Sequence, residues 1–164
     1  MGSSDALAVS VSFDHTSDET VLARYPGIRL DNVNKNYYRG LLSRLLMLGR
    51  CADCGSWHTP LRPRCPQCWS ESVQLVPASG QGCVHLLTRL YQGPPSPDVD
   101  YAAPWPLAAI ELVEQPGLRV VGTIVDCPTD GLRIGLPVSL TWITRDGAPW
   151  PAFRPSGEAT DVRA

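Results

Sequence analysis

The sequence predicts a mostly β protein with N-terminal helices, in which a small zinc ribbon precedes a compact β-barrel. Two Cys-x-x-Cys pairs, Cys51–Cys54 and Cys65–Cys68, are separated by ten residues, a metal-knuckle spacing. Beyond them, residues 82–144 carry period-two runs of β-branched and apolar side chains punctuated by glycine. Apolar spacing of four, the mark of an amphipathic helix, occurs ahead of the cysteines.

The 164 residues are enough for one or two small domains, with 43% hydrophobic and 18% charged residues, a globular composition. No apolar run approaches the roughly 20 residues that span a bilayer, so no membrane role is expected. Met1 to Phe13 lacks a basic start and an uninterrupted apolar core, so it does not read as a signal peptide. Six cysteines without such a signal point to a reducing, cytoplasmic setting and to metal rather than disulfides. The net charge of −2 is unevenly spread. Arg24, Arg29, Lys35, Arg39, Arg44, Arg50, Arg62 and Arg64 are opposed only by Asp31 and Asp53, giving that stretch +6. A basic stretch in an acidic chain suits either an anionic ligand or pairing with carboxylates elsewhere in the fold.

Thr16-Ser17-Asp18-Glu19 reads as a capping box with Thr16 as N-cap, starting a helix that runs to about Tyr25 and stops at Pro26-Gly27. A second helix is expected from Asp31 to about Met47, with Val33, Tyr37, Leu41 and Leu45 on one face, beside Tyr38, Leu42 and Leu46. Gly40 inside it costs about 1 kcal/mol against alanine. The apolar stripe fits ordinary packing or docking on another chain.

Each Cys-x-x-Cys turns sharply, directing two sulfurs and several backbone N–H groups at one centre, and two such knuckles make a tetrahedral S₄ site. Cys51, Cys54, Cys65 and Cys68 are therefore expected to hold one structural Zn²⁺, with Gly55 supplying the positive φ at the first knuckle's exit. About twenty residues with almost no core depend on such a metal to fold. Four thiolates leave no open coordination position, which argues against catalytic zinc. Iron in the same ligands gives a rubredoxin-like electron carrier as an alternative. His58 lies four residues past Cys54, but a complete Cys₄ set leaves it unneeded.

Strands are expected over Gly82–Tyr91, Leu107–Val113, Leu118–Cys127 and Val138–Thr144, with four or five in all. That number, with Gly80, Gly82, Gly117, Gly122 and Gly135 as bends, suits a small OB-fold barrel. The short Pro128-Thr129-Asp130-Gly131 connection leaves no room for an OB helix. Gln92 to Pro106 holds five prolines and reads as a stiff surface arm. Cys83 and Cys127 are expected as small core residues. The divisions that follow are 1–15 as a disordered tail, 16–48 as N-terminal helices, 49–77 as the ribbon, 78–155 as the OB-fold, and 156–164 as a C-terminal tail.

Self-sufficient catalysis has no support in the motifs: there is no GxSxG, HExxH or P-loop, and Lys35 is the only lysine. His15 falls in the expected tail. Cys83 and His85 alternate onto one strand face with no third group evident in sequence. Nucleic-acid binding is a rival, since ribbons and OB-folds both do it. Against it, the chain from Cys65 onward has ten acids to six arginines, and Leu118 to Thr144 is mainly aliphatic.

The segments Asn36-Tyr37-Tyr38-Arg39-Gly40-Leu41, Leu48-Gly49-Arg50-Cys51-Ala52-Asp53-Cys54-Gly55 and Pro63-Arg64-Cys65-Pro66-Gln67-Cys68 resemble the family called domain of unknown function 35. The resemblance continues through Ser79-Gly80-Gln81-Gly82-Cys83-Val84, Pro106-Leu107-Ala108-Ala109-Ile110-Glu111-Leu112 and Ile134-Gly135-Leu136-Pro137-Val138, covering about Val33 to Pro155. It implies a rubredoxin-like zinc ribbon joined to an OB-fold. It also implies a hetero-oligomer with a thiolase-like enzyme acting on acyl-CoA thioesters. Such partners include acetyl-CoA acetyltransferases and the lipid-transfer-protein-like aldolases of steroid side-chain breakdown. Tyr25-Pro26-Gly27-Ile28-Arg29 looks most like the aldolase-associated subgroup. On this resemblance the catalytic residues lie on the partner, and none is expected here. The Arg24–Arg64 stretch would attract CoA phosphates, and Trp105, Trp142 and Trp150 at a barrel mouth would shelter the acyl group.

Overall fold

The computed structural model describes residues 16–93 and 98–157. The expected tail 1–15 and the end of the tail 156–164 lie outside those residues, as does the centre of the proline-rich loop. Helix α1 spans Asp18–Arg24, and its N-cap is Ser17, whose hydroxyl accepts the Thr20 N–H at 3.2 Å. The cap thus sits one residue later than the Thr16 the sequence suggested. Glu19 remains in the first turn, where its own amide and then the Ser17 hydroxyl hold its carboxyl below the usual range.

Helix α2 spans Lys35–Leu42, half the length expected. A turn leads into its N-cap Asn34, with the Asp31 carboxylate accepting the Val33 and Asn34 N–H groups, both at 2.8 Å. A Schellman turn ends it. Arg44 enters the left-handed region at φ 56, its N–H donates to Leu41 O at 2.9 Å, and Leu45 N–H donates to Gly40 O at 2.8 Å. The chain then folds back across Gly40, where an added Cβ would lie 2.4 Å from Met47 Cγ. Leu45 and Leu46 continue the helical spacing in sequence but leave the helix in space.

Strands β1 (Met47–Cys51), β2 (Trp57–His58) and β3 (Val73–Pro77) form an antiparallel sheet ordered β2-β1-β3. The barrel comprises β4 (Gln81–Leu90), β5 (Trp105–Leu112), β6 (Arg119–Ile124), β7 (Pro137–Arg145) and β8 (Ala148–Pro155). Its order is β4-β5-β6-β8-β7, with β7 closing onto β4 and β6 parallel to β8. This is the closed five-stranded Greek-key barrel expected of an OB-fold. Between β6 and β7 the chain turns without a helix. The proline-rich loop is shorter than expected, since Trp105 and Pro106 already belong to β5.

Strand β8 lacks a strand signal in its sequence, because Pro149, Pro151 and Pro155 interrupt it. The structure accommodates them by parity. Val125 N–H donates to Phe153 O, so the odd-numbered residues of β8 turn their backbone groups toward β6. Pairing on that side is registered only at Ala152 and Phe153, so prolines at 149 and 151 forfeit little. At Gly80, φ is 73 and an added Cβ would lie 2.3 Å from Leu140 Cβ, so the close crossing into β4 requires glycine.

The barrel core contains Val84, Ala108, Ile110, Leu112, Ile124, Val138 and Phe153, all buried, and it takes in Leu46 and Leu48 from the ribbon side. A second cluster, Val21, Tyr25, Leu41 and Ala148, seats both helices on the β7–β8 hairpin. There the Tyr25 hydroxyl donates to Pro149 O at 2.7 Å, and the Tyr25 ring meets Trp150 edge-on at 5.3 Å. The helices therefore pack on this chain's own barrel.

Candidate metal centre and its mounting

Cys51 ends β1 and Cys54 completes a turn held by Gly55 N–H to Cys51 O at 3.0 Å and Cys51 N–H to Ser56 O at 2.9 Å. The second knuckle repeats the bonding, with Trp69 N–H to Cys65 O at 2.9 Å and Cys65 N–H to Ser70 O at 2.8 Å. The residue after each second cysteine takes the left-handed conformation, Gly55 at φ 73 and Trp69 at φ 62. The Ser70 hydroxyl donates to the Asp53 carboxylate, tying one knuckle to the other.

All four sulfurs lie within 4.8 Å of one another, with Cys51–Cys68 at 3.7 Å and Cys54–Cys65 at 3.6 Å. A tetrahedral Zn–S₄ centre with 2.3 Å bonds separates its sulfurs by about 3.8 Å, so the donor set fits zinc. Disulfides need about 2 Å and are absent from this group. The thiols also resist ionising together. The Cys54 amide aimed at Cys51 holds that thiol down to about 7. At Cys68 the Ser70 amide acts downward, but the surrounding thiols, Cys54 foremost, push it up to about 12. A divalent cation at the centre removes that conflict.

His58 stays out of the donor set. It is buried over Gly49, where an added Cβ would lie 2.7 Å from His58 Nε2, and neither ring nitrogen has a partner among the described residues. The ribbon is mounted on the barrel by a feature with no sequence signal. Gln115, in the β5–β6 turn, accepts the Trp57 N–H at 2.9 Å and donates to Trp57 O at 3.2 Å. Next to it, Glu114 accepts the Ser79 N–H.

The other candidate residues separate. Trp142 and Trp150 pack against the helical cluster rather than lining a barrel mouth, so they are structural. Trp105 begins β5 and is half-buried. Cys127 lies against the core, whereas half-buried Cys83 belongs to neither hydrophobic cluster. Cys83, registered opposite Glu111, and His85 both adjoin that carboxylate, and the bulge that shifts the register comes between Val84 and Leu86. His85 Nδ1 sits 3.7 Å from Glu111, whose carboxylate accepts from Arg119 at 2.9 Å. Burial first, then the Glu111 charge, raises the Cys83 thiol above its usual value, the opposite of nucleophile activation. In the basic stretch, Arg39 pairs with Asp18 at 2.7 Å, Arg64 pairs with Glu71, and Arg50 lies 5.5 Å over the Trp57 ring. Arg24, Arg29, Arg44 and Arg62 have no ion pair among the described residues.

Residues 41–74 match the family model for the rubredoxin-like zinc ribbon domain of ChsH2, and residues 75–142 match the model for the ChsH2 C-terminal OB-fold domain. A DUF35 domain-containing scaffold protein of Methanocaldococcus jannaschii is 33% identical, covering 67% of this chain and 78% of the relative. The chain belongs to the DUF35 family. Its two family units meet inside β3, within the continuous sheet of the ribbon. A solved Ltp2-ChsH2(DUF35) aldolase superposes with a TM-score of 0.68 and 32% identity, covering 78% of this chain and 98% of the matched one. A probable enoyl-CoA hydratase alpha subunit of Thermomonospora curvata is 34% identical over 80% of this chain, which spans 39% of that relative's length. The benzoylsuccinyl-CoA thiolase subunit BbsA of Thauera aromatica is 28% identical, over 64% of this chain and 71% of that subunit. No helix among the described residues is long and apolar enough to cross a membrane.

Proposed function

We infer that this DUF35 chain is a non-catalytic accessory subunit. It binds a thiolase-like enzyme, of steroid side-chain aldolase or acetyl-CoA acetyltransferase type, and helps it act on acyl-CoA thioesters. Cys51, Cys54, Cys65 and Cys68 hold one structural Zn²⁺, which braces the ribbon 49–77 against the OB-fold 78–155 and the helices 16–48. The reading places the complex in the reducing cytoplasm, where thiolates persist. The observation that carries it is the 32% identity over 98% of a chain in an aldolase named for two components. The scaffold and thiolase-subunit relatives support it further. The S₄ donor set supports a bracing role, since four thiolates leave a metal no position for substrate.

The test is co-expression with the thiolase-like subunit encoded beside this chain. The expected result is a complex of defined native mass, with activity on an acyl-CoA thioester that this chain lacks alone. Absence of that complex overturns the reading. Metal analysis should find one zinc per chain in a colourless protein, whereas a red iron protein would favour electron transfer.

A further inference from the structure

On an OB-fold barrel the outward residues of each strand are expected to be polar, because the inward residues already fill the core. The wall formed by β4, β5 and β6 departs from that. Its cross-strand register aligns Leu86 with Ala109 and Ala109 with Val121, one row across three strands. The next row on the same face is Thr88–Leu107–Thr123, and beyond it Leu90 pairs with Trp105. The inward residues of β5, Ala108, Ile110 and Leu112, alternate with these and are buried, so the row faces outward. Leu86 is 53% exposed and Val121 is 65% exposed. A charged edge borders the patch, where Glu111 bridges Arg119 and His85.

The geometry points to this wall as the surface that docks the enzyme subunit, an inference that rests on the accessory-subunit reading. Several features select a folded protein as occupant. Strand β5 is hydrogen-bonded on both sides, so it offers side chains and no free edge for an added strand. The row is aliphatic with little net charge, which a nucleic acid would not favour. Three strands about 4.8 Å apart and several residues long give roughly 300 Å² of sheet, apolar along Leu86, Ala109, Val121 and Leu107 with only the small Thr88 and Thr123 as polar members beside them. That is the size of the apolar centre of a standard interface of about 800 Å² per partner, with the charged edge as its rim. The wall is also continuous with the ribbon. Val121 lines a hollow of about 230 Å³ shared with Tyr37, Leu48 and Pro60, a place for one anchoring side chain from the partner. Zinc-held Pro60 and barrel-held Val121 would then contact the same partner.

The experiment measures affinity of the purified chain for the thiolase-like subunit encoded beside it, for wild type, Leu86→Asp/Val121→Asp and a gentler Leu86→Ser/Val121→Thr pair. Leu22→Asp, on the exposed side of α1, is the control. Both substituted positions face out, so zinc content and melting temperature should stay unchanged. The inference expects at least ~30-fold weaker binding for the aspartate pair, a smaller loss for the gentler pair and none for the control. Wild-type-like binding by both pairs overturns the docking face while leaving the accessory role intact. A wild-type chain that dimerises alone, and is made monomeric by the aspartates, assigns the face to self-association and also overturns it. No complex with the wild-type chain sinks the functional reading and this inference together.

Discussion

The ribbon and the barrel fold by opposite means. The barrel, from Gln81 to Pro155, is held by a continuous apolar interior with Ile110, Val138 and Phe153 fully buried. The ribbon, from Met47 to Pro77, gives that core the buried Leu48, with Leu46 just ahead of it and half-buried Trp57 packed against it, and its own centre is four sulfurs. One region is stabilised by area removed from water, the other, on the proposed reading, by coordination bonds closing two loops. A single chain thereby presents a rigid surface on each side of the Gln115 clasp.

Metal removal should separate the two regions most strongly. Coordination of this kind contributes about 10–16 kcal/mol, far more than the ribbon's few buried side chains. Chelation, or Cys54→Ala, should abolish amide protection in β1–β3 and release the enzyme subunit, while amides of β5 stay protected in hydrogen exchange. Loss of protection in β5 at the same rate would show that the barrel depends on the metal too. The converse lesion is Phe153→Ala, expected to destabilise the barrel by about 3–5 kcal/mol. Its ring lies 3.0 Å from where a Gly122 Cβ would be, so the cavity has little freedom to close. Chemical denaturation should show an earlier barrel transition, with zinc release following it rather than leading.

The sequence made the ribbon more legible than the barrel's last strand, for a physical reason. Coordination imposes a spacing that nothing else requires, so Cys51, Cys54, Cys65 and Cys68 identify themselves. Strand β8 carries its information in backbone parity, which no local pattern of Pro149 and Pro151 reveals. The over-long second helix has a similar origin. Leu45 and Leu46 keep the helical spacing, but the turn through Arg44 is decided by Met47 packing on Gly40. Gln115 and the apolar row Leu86–Ala109–Val121 were invisible because both depend on register between distant strands.

The helices offer a smaller test of which region they belong to. Tyr25 joins α1 to the barrel through Pro149 O, and burial pushes its hydroxyl from the usual 10 up to about 12. The folded state therefore favours the neutral phenol. That stability is complete below pH 10 and is lost as pH rises through about 12, with Tyr37 titrating in the same range. Tyr25→Phe should cost about 1–2 kcal/mol at neutral pH and weaken the alkaline loss. An ultraviolet tyrosine titration beside near-ultraviolet dichroism measures both, and zinc content should not change.

The last contrast lies inside the ribbon, between its two knuckles. Gly55 takes the left-handed conformation freely, whereas Trp69 takes it at φ 62 with its side chain 73% exposed. A bulky residue there costs about 1–2 kcal/mol, and exposure leaves it little packing to offset that. Glycine's greater backbone entropy in the unfolded chain returns about 0.5–1 kcal/mol of the difference. Trp69→Gly should thus raise ribbon stability by up to about 1 kcal/mol, read as slower zinc transfer to a chelator. The barrel transition should not move. A faster transfer would show that the exposed indole, with Pro63 and Pro66 beside it in the same hollow, holds the second knuckle closed.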